Sequence, residues 1–192
     1  MKVAVISPHL DDAVFSVAEH MLSRPDWEFT IITPCARIPP DPAGEAKYLR
    51  LLDEHDEVCR AGKWNYVNGP FLDDVYGPDN LDGLTTWLRS VVLGHHFDEM
   101  WVPYGTHHPD HVEVMEAAEW LIDEVPRYCI YEELPYRVLY PFEVSRVDPM
   151  VLIGYDPSVL ERKRELCRMY ASQIGPEIER CLYVPERLWG PR

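Results

Sequence analysis

Two short stretches concentrate the residues able to do chemistry: Pro8-His9-Leu10-Asp11-Asp12 near the start, and His107-His108-Pro109-Asp110-His111 in mid-chain. Histidine and aspartate ligate divalent metals and also move protons near neutral pH. His9 and Asp12 can close on one ion from the end of a strand and the start of a helix. With His111 they offer three protein ligands, which leaves a fourth position for water, as in a catalytic zinc site. Each stretch also has a plainer reading. An aspartate pair at a helix start caps free N–H groups and meets the positive end of the helix dipole, and a solvated loop tolerates clustered histidines. Two separate strand-to-helix junctions, both carrying His and Asp, favour the metal reading.

The elements that must position these residues follow from apolar spacing. Val3 to Ile6 is a short β-branched run that stops at Pro8, which predicts a buried strand. Val14, Val17, Ala18, Met21 and Leu22 supply the helical period behind Asp11 and Asp12. Phe97 to Pro103 predicts the strand feeding the second stretch, with a helix starting near His111 and running over Val112 to Glu124. Further strands are predicted at Glu28–Thr33 and Arg127–Glu133. Helices are predicted over Ala43–Ala61, with Leu49, Leu52 and Val58 on one face and Gly62 as the stop, over Leu81–Leu93, and over Pro157–Ser172. Trp64–Val67 and Phe71-Leu72 flank the turn signal Asn68-Gly69-Pro70. Strands alternating with helices predict an α/β fold, a Rossmann-like three-layer α/β/α sandwich with a mostly parallel sheet. Such sheets bind ligands at the carboxyl ends of their strands. No Gly-x-Gly-x-x-Gly follows the first strand, which counts against a nucleotide site. Tyr131, Tyr136, Tyr140 and Phe142 suit either stacking on a sugar or core packing.

A chain of 192 residues, 46% hydrophobic, is sized for one core, so a single domain over residues 1–192 is expected. The net charge of −15 argues against nucleic acid and anionic membranes as partners. No apolar run is long enough for a membrane span or a secretory core, which predicts a cytoplasmic protein. Five scattered cysteines without a Cys-x-x-Cys pair read as reduced, packed thiols, Cys35 among them at a strand end. The aromatic and proline content suits a pocket or a homo-oligomer interface.

The Pro8-His9-Leu10-Asp11-Asp12 and His108-Pro109-Asp110-His111 motifs resemble those of the PIG-L/LmbE-like metal-dependent N-deacetylases. Tyr131-Glu132-Glu133-Leu134-Pro135-Tyr136 is similar to a Tyr-Glu-Asp-Leu-Pro-Tyr stretch of that family, and Lys163 to Tyr170 with Ser172 and Gln173 resembles its C-terminal helix motif. The chain departs from the pattern at Leu10, where many relatives have proline, at Ala13, where they have glutamate, and near Val17 to Glu19, where they have glycines. The resemblance implies a Rossmann-like fold and a hydrolase that removes an N-acyl group, N-acetyl above all, from an amino sugar or an amino-sugar-containing metabolite. It implies Zn2+ or another divalent transition metal on His9, Asp12 and His111. It gives Asp11 as general base, and His108, oriented by Asp110, as the group that stabilises the oxyanion or protonates the leaving amine. The division between Asp12 as ligand and Asp11 as base comes from the family, since adjacent aspartates are not told apart by sequence. Arg50 and Asp73 are implied as substrate contacts, with Gly77 standing where relatives have arginine. Close alternatives are an amidase acting on a thiol-conjugated amino-sugar derivative and a noncatalytic metal- or sugar-binding protein.

Overall fold

The computed structural model describes residues 1–74, 78–140 and 156–190. Six strands among them form one sheet: β1 (Lys2–Ile6), β2 (Glu28–Thr33), β3 (Asn65–Asn68), β4 (Glu99–Pro103), β5 (Tyr128–Tyr131) and β6 (Leu188–Trp189). Their spatial order is β3-β2-β1-β4-β5-β6, parallel throughout except for the antiparallel pair of β5 and β6. The helices are α1 (Asp12–Leu22), α2 (Pro42–Gly62), α3 (Pro78–His95), α4 (Pro109–Glu119), α5 (Tyr136–Leu139), α6 (Pro157–Met169) and α7 (Pro176–Cys181).

Strand β1 shows why the layers form. Its side chains alternate between faces, and both faces are covered. Val3 and Val5 pack into a core with Phe15 of α1, Leu51 and Val58 of α2 and Leu166 of α6. Ala4 and Ile6 pack on the other side with Leu84 and Leu88 of α3 and Val114 of α4. A strand buried on both faces reads as a continuous apolar run, which is how the Val3 to Ile6 segment reads in sequence. Because β1 has β2 on one side and β4 on the other, the chain order reverses there. This is the switch point where open α/β sheets leave a crevice at their carboxyl ends. His9 follows β1, and His108 and His111 follow β4.

Several predicted boundaries shift for local reasons. Helix α2 buries Tyr48, Leu51, His55, Val58 and Cys59 and leaves Leu49 exposed, so its inner face lies about one residue from the predicted one. Its left-handed cap is Lys63, with φ 59°, rather than Gly62. Helix α4 begins at Pro109, because proline fits the first turn and His108 caps it. It ends at Glu119, and a separate 3-10 turn spans Ile122–Glu124. Helix α6 stops at Met169, short of Ser172, whose backbone N–H donates to Glu54 instead. Strand β6 and helices α5 and α7 lack a readable period and were not predicted. No helix among the described residues is long and apolar enough to cross a membrane.

Candidate metal centre

The first loop is built by Ser7. Its hydroxyl donates to the His9 carbonyl at 2.6 Å and accepts the Ala13 N–H at 2.9 Å, tying the strand end to the start of α1. Ser7 therefore meets a helix N–H that the aspartates were expected to cap. Asp11, at the cap position, makes no side-chain cap bond, and Asp12 accepts the His9 N–H at 2.8 Å. Both carboxylates are thereby turned from helix capping toward the crevice.

The second loop is built by Glu133. Its carboxylate accepts the backbone N–H groups of Tyr104, Gly105 and Thr106 at 3.2, 2.8 and 3.3 Å. Gly105 has φ +77°, and a Cβ there would lie 2.7 Å from Cβ of Met115, so both backbone angle and space demand glycine. His108 then caps α4, its Nδ1 accepting the Asp110 N–H at 3.3 Å.

These loops bring three donor atoms into a near-equilateral triangle. His9 Nδ1 to Asp12 Oδ2 is 3.2 Å, His111 Nε2 to Asp12 Oδ2 is 3.2 Å, and His111 Nε2 to His9 Nδ1 is 3.3 Å. Tetrahedral bonds of about 2.0–2.1 Å require ligand atoms roughly 3.3 Å apart, so the triangle has the right edge for one zinc-sized ion. Each histidine spends its other nitrogen on a carboxylate. His9 Nε2 lies 2.9 Å from Asp110 and 3.0 Å from Asp73, and His111 Nδ1 lies 3.3 Å from Glu133. Such outer carboxylates fix the tautomer that leaves the inner nitrogen free to ligate. Two wider groupings, His9 with His108 and His111, and His9 with Asp73, His108 and Asp110, also bring donors within 4.8 Å. The tighter triangle is the better match to one ion.

The electrostatics describe a socket that needs positive charge. Burial acts to lower the pKa of His9, but hydrogen bonds to Asp110, Asp12 and Asp73 hold it well above its usual value. Burial likewise opposes the charged form of His111, yet the Asp12 charge and bonds to Asp12 and Glu133 push it up to about 9. Burial acts to raise Asp12, and His111 and His9 outweigh it, holding the carboxyl far below the usual carboxylate range. Without a metal, protons on the histidines balance these carboxylates, and a bound dication displaces them. Asp11 goes the other way: burial and the Asp12 charge push it up to about 7, and a neighbouring dication draws it down again. Burial, then the neighbouring His9 and His111, lower His108, which keeps it neutral with Nδ1 as acceptor and Nε2 carrying the proton.

These groups open onto a cavity of about 270 Å³. His9, Asp11, Asp12, Asp73, His108 and Tyr136 form its reacting side, and Phe15, Tyr48, Leu51 and Ile178 line it with apolar surface. The structure thus brings seven of the eight sequence-derived site residues together, Asp110 and His111 from just behind the wall. Arg50 is the exception. Its Nε pairs with Glu54 at 3.0 Å, and Lys47, one turn earlier on α2, reaches the cavity in its place. Asp110 meets both histidines through different groups: its carboxylate is 2.9 Å from His9 and 3.8 Å from His108, while its backbone N–H donates to His108 Nδ1 at 3.3 Å. Asp73 touches His9 directly, beyond the substrate contact expected of it. Among the aromatics, Tyr136 packs edge-on against His111 with ring centres 4.9 Å apart. Tyr131 is core and donates to the Ile6 carbonyl, and Tyr140 is exposed against the exposed His107. Gly77 and Phe142 lie outside the described residues. Cys35 is buried, and desolvation pushes its thiol up to about 12, which keeps it inert. Sequence reading gives no role to Glu133 or Gln173, and gives Tyr136 only the choice between stacking on a sugar and core packing. For Glu133 and Tyr136 the available signal was their place in the Tyr131 to Tyr136 stretch.

No protein-family model matches the chain, and no curated protein matches it. Solved structures do match in fold. A triple mutant of a deacetylase from the teicoplanin biosynthetic pathway superposes with a TM-score of 0.84 at 22% identity, covering 99% of this chain and 97% of that one. N,N′-diacetylchitobiose deacetylase from Pyrococcus horikoshii, complexed with an inhibitor, gives 0.63 at 18% identity, over 100% of this chain and 82% of that one. The 4-carboxy-2-hydroxymuconate hydratase of Pseudomonas putida gives 0.58 at 16% identity, over 100% and 97%. The chain therefore has the three-layer α/β/α architecture that two deacetylases and a hydratase share, with its own His and Asp cluster at the switch point of the sheet.

Proposed function

We propose that the chain is a metal-dependent N-deacetylase of the PIG-L/LmbE-like family, acting on an N-acyl amino sugar or a small molecule that contains one. The same fold carries a hydratase, so the fold does not select the reaction and the site must. The observation that carries the reading is the triangle of His9, Asp12 and His111 with both outer nitrogens on carboxylates, while Asp11 and His108 remain for other work on the same cavity. A metal-binding module needs the triangle alone. A hydrolase needs the two further groups.

A divalent metal bound by His9, Asp12 and His111, zinc by its donor set, supplies a Lewis acid for the amide carbonyl and acidifies the attacking water. Asp11 takes the proton of that water as its oxygen bonds to the carbonyl carbon. Its carboxyl is poised for this because burial and Asp12 raise it while the metal lowers it. His108 Nε2–H donates a hydrogen bond to the developing oxyanion, with the tautomer fixed by the Asp110 N–H on Nδ1. When the C–N bond breaks, the proton held on Asp11 passes to the leaving nitrogen, giving a free amine and a carboxylic acid, which ionises in water. Asp73 holds His9 from the cavity side, and Tyr136 packs against His111.

The reading is tested by elemental analysis of the purified protein together with amine release from N-acetylated amino sugars, thiol-conjugated derivatives included, with and without added zinc. About one metal per chain and metal-dependent amine release support it. Absence of metal after zinc is supplied overturns it, and release from the thiol conjugates alone redirects it to the amidase alternative.

A further inference from the structure

At the far end of α1 from the metal centre lies another cavity, of about 260 Å³. Asp12 opens α1 and Leu22 closes it, so the two sites stand at opposite ends of a helix about 15 Å long. Two chain reversals build this cavity. Arg24-Pro25-Asp26-Trp27 is a turn closed by the Trp27 N–H on the Arg24 carbonyl at 3.0 Å, with proline at its favoured second position. It sets the Arg24 guanidinium over the Trp27 ring, 4.9 Å from the ring centre. At the end of α2 the left-handed cap Lys63 turns the chain back, and the Trp64 N–H returns to the Cys59 carbonyl at 2.9 Å. Trp64 then lies against Gly62, where a Cβ would come within 2.6 Å of its ring. Glycine is needed there for the space of the indole. Trp27, Phe29 and Trp64 form the aromatic walls, and small and aliphatic residues complete them.

Charge sets this cavity apart from the rest of the protein. The chain has 33 acidic side chains against 18 basic ones, yet the cavity is lined by Arg24 and Lys63 and by no carboxylate of the described residues. Neither cation forms an ion pair with a described carboxylate. Arg24 gives Nη1 to the His20 carbonyl at 2.8 Å. Glu99 acts on Arg24 through charge alone, because its own oxygens lie 2.6 Å from Trp101 Nε1 and 3.4 Å from Arg127 Nε. Burial is the largest influence on the Arg24 guanidinium and disfavours its charge, a cost that an arriving anion offsets. A guanidinium takes a carboxylate through two parallel N–H bonds, and indole rings stack on flat rings. An apolar cavity of about 150 Å³ already holds benzene, so this one has room for a ring system and a carboxylate. We infer that the cavity is a second ligand site for a small planar aromatic carboxylate, its ring among Trp27, Phe29 and Trp64 and its carboxylate on Arg24 and Lys63. The site stands apart from the reaction cavity and from the deacetylase reading of it.

Indole-3-acetate is the probe, and indole-3-acetamide, of the same shape without the charge, is its control. Calorimetric titration of wild type is expected to give one site with a Kd below about 1 mM for the acid, and binding of the amide weaker by at least about ten-fold. The same Kd is expected with added zinc and with chelator, which places the acid away from the metal. Arg24→Met removes the fork and should shrink the acid-to-amide ratio toward one. Lys63→Asn should shrink it several-fold, at an exposed position whose left-handed backbone asparagine adopts readily, so the fold is kept. No binding by wild type, a ratio near one, binding that requires zinc, or a ratio unchanged in Lys63→Asn and in folded Arg24→Met overturns the site. A wild-type dimer in sedimentation that becomes monomeric in Trp27→Ala seats a second copy on the cavity and overturns it as well.

Discussion

Asp110 Oδ2 lies 2.9 Å from Nε2 of His9, a residue 101 positions away, and joins the loop after β4 to the loop after β1. The carboxylate is almost fully buried and also accepts the Asp74 N–H at 3.0 Å. A third loop thus closes on the same group. Removing an outer carboxylate of this kind costs about 10–100-fold in metal affinity. Asp110→Ala is expected to weaken metal binding by that factor, measured by chelator competition, and Asp110→Asn to recover part of it. An unchanged affinity would place Asp110 outside the metal's support.

The adjacent aspartates are expected to separate cleanly. His111→Ala removes one corner of the donor triangle and should abolish stoichiometric metal, read by elemental analysis. Asp11→Asn should keep the metal and lose about 10²–10⁴-fold in kcat, the usual worth of a general base. An Asp11→Asn protein without metal would show that Asp11, not Asp12, is the ligand.

Tyr170 holds the first loop from below. Its hydroxyl donates to the Leu10 carbonyl at 2.7 Å and receives His55 Nδ1–H at 2.8 Å, all of it buried. Tyr170→Phe leaves a buried carbonyl and a buried N–H without partners, each costing about 1–3 kcal/mol. Urea unfolding should therefore show a loss of at least about 1 kcal/mol. Because Leu10 sits between His9 and Asp11, metal affinity should fall with it.

Acid should destabilise the fold through histidines outside the site. Burial, with help from Arg24 and Lys163, lowers His20 to about 3, and burial lowers His55 to about 4. Between those values and the unfolded value of about 6.5, the unfolded chain binds protons that the native one does not, so stability falls as pH falls. Each histidine contributes on the order of 1.4 kcal/mol per pH unit inside its window. Unfolding free energies from pH 7.5 to 4.5 should fall less steeply in His20→Gln than in wild type. Parallel curves would show that His20 is protonated in the folded protein.

What the sequence determined by itself is local. A short apolar run stopped by proline, followed by His and Asp and then a helical period, specifies a strand, a loop and a helix from contiguous residues, and it appears twice. Alternation of such units implies a parallel sheet, and the sheet implies a crevice at its carboxyl ends, so the address of the site was legible. The tertiary structure decided everything that depends on distance through space. It chose which nitrogen of His9 and His111 faces the triangle, because the opposite nitrogen is claimed by Asp110 or Glu133 from other loops. It turned the Asp110 carboxylate toward His9 and left the Asp110 backbone N–H to His108, its neighbour in sequence. It replaced Arg50 by Lys47 at the cavity, because helix α2 turns Arg50 toward Glu54. Strand β6 and helix α7 have two and six residues, too few to show a period, so the sheet edge and the Ile178 wall of the cavity were invisible until the chain was folded.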